Sequence, residues 1–107
     1  MNAETLKGHL DLLLLAAVQH EPAHGYAIAE TLRTHSNGAF DLAEGTLYPA
    51  LHRLERAGLL ASRWSEVGGR RRRVYQLTQK GRRALAERQD EWRDFARAVD
   101  AVVAGLA

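Results

Sequence analysis

Apolar positions along this chain recur at helical spacing in three separate stretches before the pattern changes. Leu6, Leu10, Leu13, Leu14, Ala17 and Val18 predict a first helix from about Thr5 to His20, ended by Pro22, whose wide apolar face has to be buried. Tyr26, Ile28, Ala29 and Leu32 are the inward candidates of a second helix over about Gly25 to Thr34. Ser36-Asn37-Gly38 ends it, because Asn and Gly tolerate positive φ. A short extended connection, Ala39-Phe40-Asp41, leads on, with Phe40 expected as a core anchor. It opens into 42–58, where Leu47, Leu51 and Leu54 form the stripe of a third helix and Gly58 its stop. Two helices joined by a short turn are the outline of a helix-turn-helix.

After Gly58 the period falls to two. Leu59 to Ser65 reads as a strand, Glu66-Val67-Gly68-Gly69 as a turn, and Arg70 to Leu77 as the return strand of a β-hairpin. Thr78 then caps a last helix, from about Gln79 to Ala104. Its apolar residues keep a heptad spacing: Leu85, Trp92, Val99 and Leu106 are seven apart, with Phe95 and Val102 between them. So regular a seam calls for another long helix, and this sequence supplies none, so a second copy of the chain is the expected partner. The other reading packs the seam back on its own domain.

Length and charge narrow the picture. A chain of 107 residues makes one small domain with a modest core, which dimerisation would supplement. Its net charge of +2 hides a segregation: the balance is −4 over residues 1–52, +8 over 53–88 and −2 beyond. A polyanion would meet the middle third. With no Cys there is no disulfide framework and no thiolate metal site. The apolar run Leu12 to Val18 is far too short to span a membrane, and no leader precedes it, so a cytoplasmic protein without membrane association is expected. His20-Glu21-Pro22-Ala23-His24 matches the H-E-x-x-H pattern of zinc peptidases, but Pro22 interrupts the continuous helix that this chemistry needs. No metal and no cofactor are expected. Nor are there paired carboxylates, a nucleophile and base, or a phosphate-cradling loop, so the chain does not read as an enzyme.

The chemistry lies on the third helix and the hairpin. Off the apolar stripe stand Thr46, Tyr48, His52, Arg53 and Arg56, a hydrogen-bonding, aromatic and cationic face suited to a DNA major groove and its phosphates. The plainer alternative is an amphipathic helix with a solvated outer face. Arg70, Arg71, Arg72 and Arg73, beside Gly68 and Gly69, could be a solvated charge run. Alternation along a strand, however, sends them to both faces, so that the hairpin can straddle a phosphate backbone and reach the minor groove. The expected fold is therefore mainly α with a small β-hairpin: a winged helix-turn-helix over residues 1–78 and one long dimerisation helix over 79–107. The expected function is sequence-specific DNA binding. The alternative is a winged-helix protein-interaction module without DNA binding, for which four arginines beside two glycines have no use.

Several motifs together resemble the PadR family, the phenolic-acid-decarboxylase regulators of bacteria. They are His24-Gly25-Tyr26, the run Gly45 to Glu55 followed by Gly58-Leu59-Leu60, and Arg72 to Thr78 with Gly81. The resemblance implies a homodimeric repressor on a pseudo-palindromic operator, with the helix around Thr46 and Tyr48 in the major groove and the arginine wing beside it. It also implies release from DNA by a phenolic or other small aromatic effector. Trp92 matches an aromatic residue that some relatives hold in a pocket at the dimer centre; plain dimer core is its other reading. The sequence departs from the family at Ala43, where Ser or Thr often caps the third helix. Either Asp41 substitutes as cap or the helix starts at Thr46, which would also ease Pro49 toward its first turn.

Overall fold

A computed structural model describes residues 6–107. Its elements, in order, are α1 (Leu10–Ala17), β1 (Ala23–His24), α2 (Gly25–His35), α3 (Glu44–Arg56), β2 (Leu60–Val67), β3 (Arg70–Leu77) and α4 (Gln79–Leu106). The winged helix-turn-helix expected from the sequence is the fold observed.

α1 is shorter than its stripe suggested. Leu6 and Lys7 are helical too, but a turn at Gly8 and His9, in which the His9 N–H donates to the Leu6 carbonyl (2.9 Å), separates them from it, and the chain leaves it by i→i−3 bonds from Val18 to Leu15 and from Gln19 to Ala16. The expected start at Thr5 lies outside the described residues. Pro22 then separates α1 from β1, so His20 and His24 share no helix. α2 ends at the Asn37 and Gly38 positions, with φ of 54° and 84°.

α3 closes on Gly58 (φ 79°), with the Leu59 N–H bonded to the Leu54 carbonyl and the Gly58 N–H to Glu55, a Schellman motif. Its start corrects both expectations for the cap. The helix begins at Glu44 behind Ala43, neither Asp41 nor any other side chain caps it, and Thr46 already lies in the first turn. Pro49 is therefore inside the helix, and the Gly45 carbonyl has no amide four residues on to pair with.

The hairpin turn is tighter than expected. Glu66 and Val67 belong to β2, and Gly68 and Gly69 alone (φ 59° and 78°) make a two-residue turn with positive φ at both positions. The register runs from Leu60 opposite Leu77 to Val67 opposite Arg70. β1, too short to leave a periodic trace in the sequence, pairs with the outer edge of β3, giving the order β1-β3-β2.

The core gathers Leu14 and Leu15 of α1, Ile28 of α2, Leu51 and Leu54 of α3, and Leu60 and Tyr75 of the sheet, all essentially inaccessible. Tyr26, expected to point inward, is 70 % exposed. α4 enters this body by its first turns only. Thr78 Oγ accepts from the Gly81 N–H (2.9 Å) and donates to the Gly58 carbonyl (2.6 Å). A Cβ on Gly81 would run into the Leu59 carbonyl oxygen, so only glycine admits so close an approach of helix to backbone. Leu85 is 5 % exposed in the same core. Beyond Trp92 the helix projects, and the molecule measures 57 × 28 × 21 Å. Among the described residues no helix is long and apolar enough to cross a membrane.

Candidate nucleic-acid interface

α3 buries Leu47, Ala50, Leu51 and Leu54, so its outward line is the opposite one: Gly45, Pro49, His52 and Arg56, all exposed. Of the residues expected there, His52 lies on this line and Thr46 is exposed on one flank. Arg56 completes the line. Tyr48 turns to the other flank, half-buried, where its ring lies over the start of α2 so closely that a Cβ on Gly25 would come within 2.7 Å of it. It is a packing residue first, with one edge facing the cleft between His24 and the arginines of β3. Arg53, also expected to face outward, bends back to the Asp11 carboxylate of α1, which Arg88 of α4 shares at 3.2 Å. That triad joins α3, α1 and α4 through one side chain. A sequence pattern gives no warning of Asp11 in this role, since its partners are 42 and 77 residues away.

Alternation divides the four arginines as expected. Arg71 and Arg73 share a face of the hairpin with Trp64, whose ring lies 4.7 Å and 5.1 Å from their guanidinium carbons. Arg73 is also tied down: its Nε donates to Ser62 Oγ (2.9 Å), Ser62 donates to Glu55 Oε2 of α3, and Arg73 Nη2 stands 3.7 Å from that same carboxylate. On the opposite face Arg72 Nη1 is 2.9 Å from His24 Nε2. The other ring nitrogen of His24 faces the Ala27 N–H of α2 at 3.4 Å. A neutral imidazole has one acceptor nitrogen, so the two contacts alternate, and the shorter one to Arg72 is the stronger. Burial first, and the Arg72 charge second, push the His24 pKa below its usual value of 6.5 and favour the neutral ring. The Arg70 side chain, next to the turn, makes no hydrogen bond or ion pair among the described residues and is exposed.

Trp92 stands where α4 leaves the body, 43 % exposed and edge-on to His9 at 5.1 Å, with Phe95 at 6.2 Å. Two open clefts flank it. One, of about 480 Å³, has Asp11, Arg53 and Arg88 on its wall; the other, of about 430 Å³, is apolar and includes Leu12, Leu13 and Phe40. Past Trp92 the seam is bare: Phe95, Val99, Val102 and Leu106 are 41–83 % exposed, together with Val103. Leu85, expected to belong to that seam, does not, because the chain's own core already covers it.

Three helices packed on a three-stranded sheet, a hairpin of arginines beside the third helix and a projecting terminal helix define a winged helix-turn-helix of the kind found in transcriptional regulators. The Transcriptional regulator PadR-like family matches over residues 14–87, and the chain belongs to it. Transcriptional regulator Rv3488 of Mycobacterium tuberculosis is 45 % identical over 76 residues, which are 71 % of this chain and 68 % of that protein. Among solved structures, a PadR family transcriptional regulator from Eggerthella lenta superposes with a TM-score of 0.82 at 35 % identity, over 94 % of this chain and 86 % of that one. A PadR-like transcriptional regulator from Bacillus cereus gives 0.83 at 26 % identity, over 94 % and 97 %. The family and these relatives are transcriptional regulators, not enzymes.

Proposed function

We propose that the chain is a homodimeric, sequence-specific DNA-binding repressor that works in the cytoplasm on a pseudo-palindromic operator. In this reading residues 1–78 carry the DNA-binding unit and 79–107 the dimerisation helix. The observation that carries it is the hairpin bearing four arginines set against the Tyr48 and Glu55 flank of α3, next to that helix's exposed line. Thr46, His52 and Arg56 reach toward base edges in the major groove, and Tyr48 supports them from the flank. Arg70, Arg71, Arg72 and Arg73 meet phosphates and the adjacent minor groove. Arg53 contributes once it is released from Asp11. The exposed apolar strip Trp92, Phe95, Val99, Val102 and Leu106 is covered by the same strip of a second copy, which sets the separation of the two reading helices. A small planar aromatic effector lodges beside Trp92, next to the apolar cleft, and shifts the dimer toward a conformation whose half-site spacing no longer fits DNA.

The test is selection of bound fragments from the organism's own genomic DNA by the intact protein. A recurring inverted repeat, bound with an affinity that falls steeply with salt, is the expected result. Absence of retention on any duplex at low salt would overturn the reading in favour of a protein-binding module.

A further inference from the structure

Trp64 is 55 % exposed at a place where the hairpin has left the core, so hydrophobic burial does not account for it. What surrounds it is specific. Arg73 crosses from β3 directly opposite it, and Arg71, two residues nearer the turn, lies over the same ring. A guanidinium stacked on an aromatic face keeps its N–H donors in its own plane, pointing outward and free to meet an acceptor. The two cations differ in what remains available. Arg73 is braced by Ser62 and by Glu55 of α3, whereas the Arg71 guanidinium, beyond the ring, has no hydrogen-bonded partner among the described residues.

We propose that Glu55, Ser62, Arg73 and Trp64 form a positioning rack that fixes the wing against α3 and presents Arg71 to a DNA phosphate. The inference rests on the DNA-binding reading. Trp64 and Glu55 are positioning residues in it: neither touches DNA, and both act through Arg71. An arginine that is already held loses less freedom on meeting its phosphate than one sweeping through solvent, and the saving shows as affinity rather than as an added contact. Glu55 carries the more telling consequence. Its negative charge lies beside a surface meant for a polyanion, so charge alone predicts that removing it strengthens binding. The rack predicts that removing it weakens binding.

The experiment measures, by fluorescence anisotropy, binding of the intact protein to a labelled 30-base-pair duplex of random sequence over a series of salt concentrations. Circular dichroism melts verify that each variant is folded. Arg71→Ala should reduce the salt slope by about one counterion. Trp64→Ala should lower affinity about fivefold at every salt concentration with the slope unchanged. Trp64→Phe, which keeps a flat ring, should recover most of the loss. Glu55→Ala should also weaken binding. If Trp64→Ala binds like the native protein, if it loses slope as Arg71→Ala does, or if Glu55→Ala binds more tightly, the rack is overturned while the DNA-binding reading stands. A native protein that does not bind the duplex overturns both.

Discussion

Gly25 is the floor on which Tyr48 lies. The two residues come from the opposite arms of the helix-turn-helix, and a single added methyl at Gly25 would sit 2.7–2.8 Å from two ring carbons and the hydroxyl oxygen of the tyrosine. The absence of a side chain at Gly25 thus makes room for the Tyr48 ring. Gly25→Ala should destabilise the protein by about 1–3 kcal/mol, the usual cost of overpacking. Tyr48→Leu should relieve most of that loss, and a double-mutant cycle on thermal or urea unfolding would measure the coupling. Additive effects would show that the two residues do not share a contact.

Asp11 holds two arginines, and its removal should have opposite effects on folding and on binding. All three side chains are 30–57 % exposed, so solvent screening limits the loss of stability from Asp11→Asn to about 1 kcal/mol or less. Affinity for duplex DNA should rise, because Arg53 is freed on α3 and a negative charge is gone. Unfolding curves and anisotropy titrations at equal ionic strength would check both signs; weaker binding would indicate that the triad is needed to hold α3 in place.

His24 makes stability depend on pH. Its pKa is 6.5 in the unfolded chain and lower in the folded one, so the unfolded state takes up the proton first as the pH drops. The His24 contribution is complete above pH 6.5 and is lost as the pH falls from 6.5 through the lower folded value. A melting temperature that declines over this window in the native protein should decline less in His24→Asn. Parallel curves would remove His24 from the account.

Val99 lies mid-strip on the projecting part of α4 and is 41 % exposed in the single chain. A carboxylate there would have to be desolvated in an apolar helix pair. Val99→Asp should therefore sediment as a monomer at micromolar concentration, and its binding to a two-half-site duplex should fall with it while its helix content stays near native. A wild-type monomer under the same conditions would contradict the proposed dimer.

Gly45 sits inside a helix, exposed, with nothing within 4 Å of where its Cβ would be. Gly45→Ala should stabilise the fold by roughly 0.5–1 kcal/mol. If α3 enters a groove along its Gly45-Pro49-His52-Arg56 line, the same methyl should weaken DNA binding. An equal or tighter complex would place the groove-facing line elsewhere on the helix.

Much of this fold was legible because its signals are local. The Asn37-Gly38 stop, the Gly58 terminus, the Thr78 cap and the switch from helical to alternating spacing each act within a few residues, and each is found where the sequence put it. What escaped were consequences of packing. Tyr26 has the spacing of a core residue but lies exposed beside His24, and Tyr48 has the look of a free reader but is laid over Gly25. Leu85 fits the heptad by number, yet the close approach at Gly81 draws its turn into the core before the projecting strip begins. The Asp11 triad and the Glu55 brace join residues far apart in sequence, where periodicity carries no information. Trp64 is the intermediate case: a two-residue glycine turn, read correctly, would already have set it opposite Arg73.

The fit of Gly81 under the Leu59 carbonyl has a mechanical side. It clamps the foot of a 28-residue helix, about 42 Å long, to the residue from which the wing departs. With Leu85 in the core and Arg88 on Asp11, the first half of that helix is held to the body, and only the part beyond Trp92 stands free. That free part is about 21 Å long, so a tilt of about 5° moves its end by about 2 Å. If a second copy grips that end, as proposed, the clamped foot at Gly81 is where the grip would be felt by the wing.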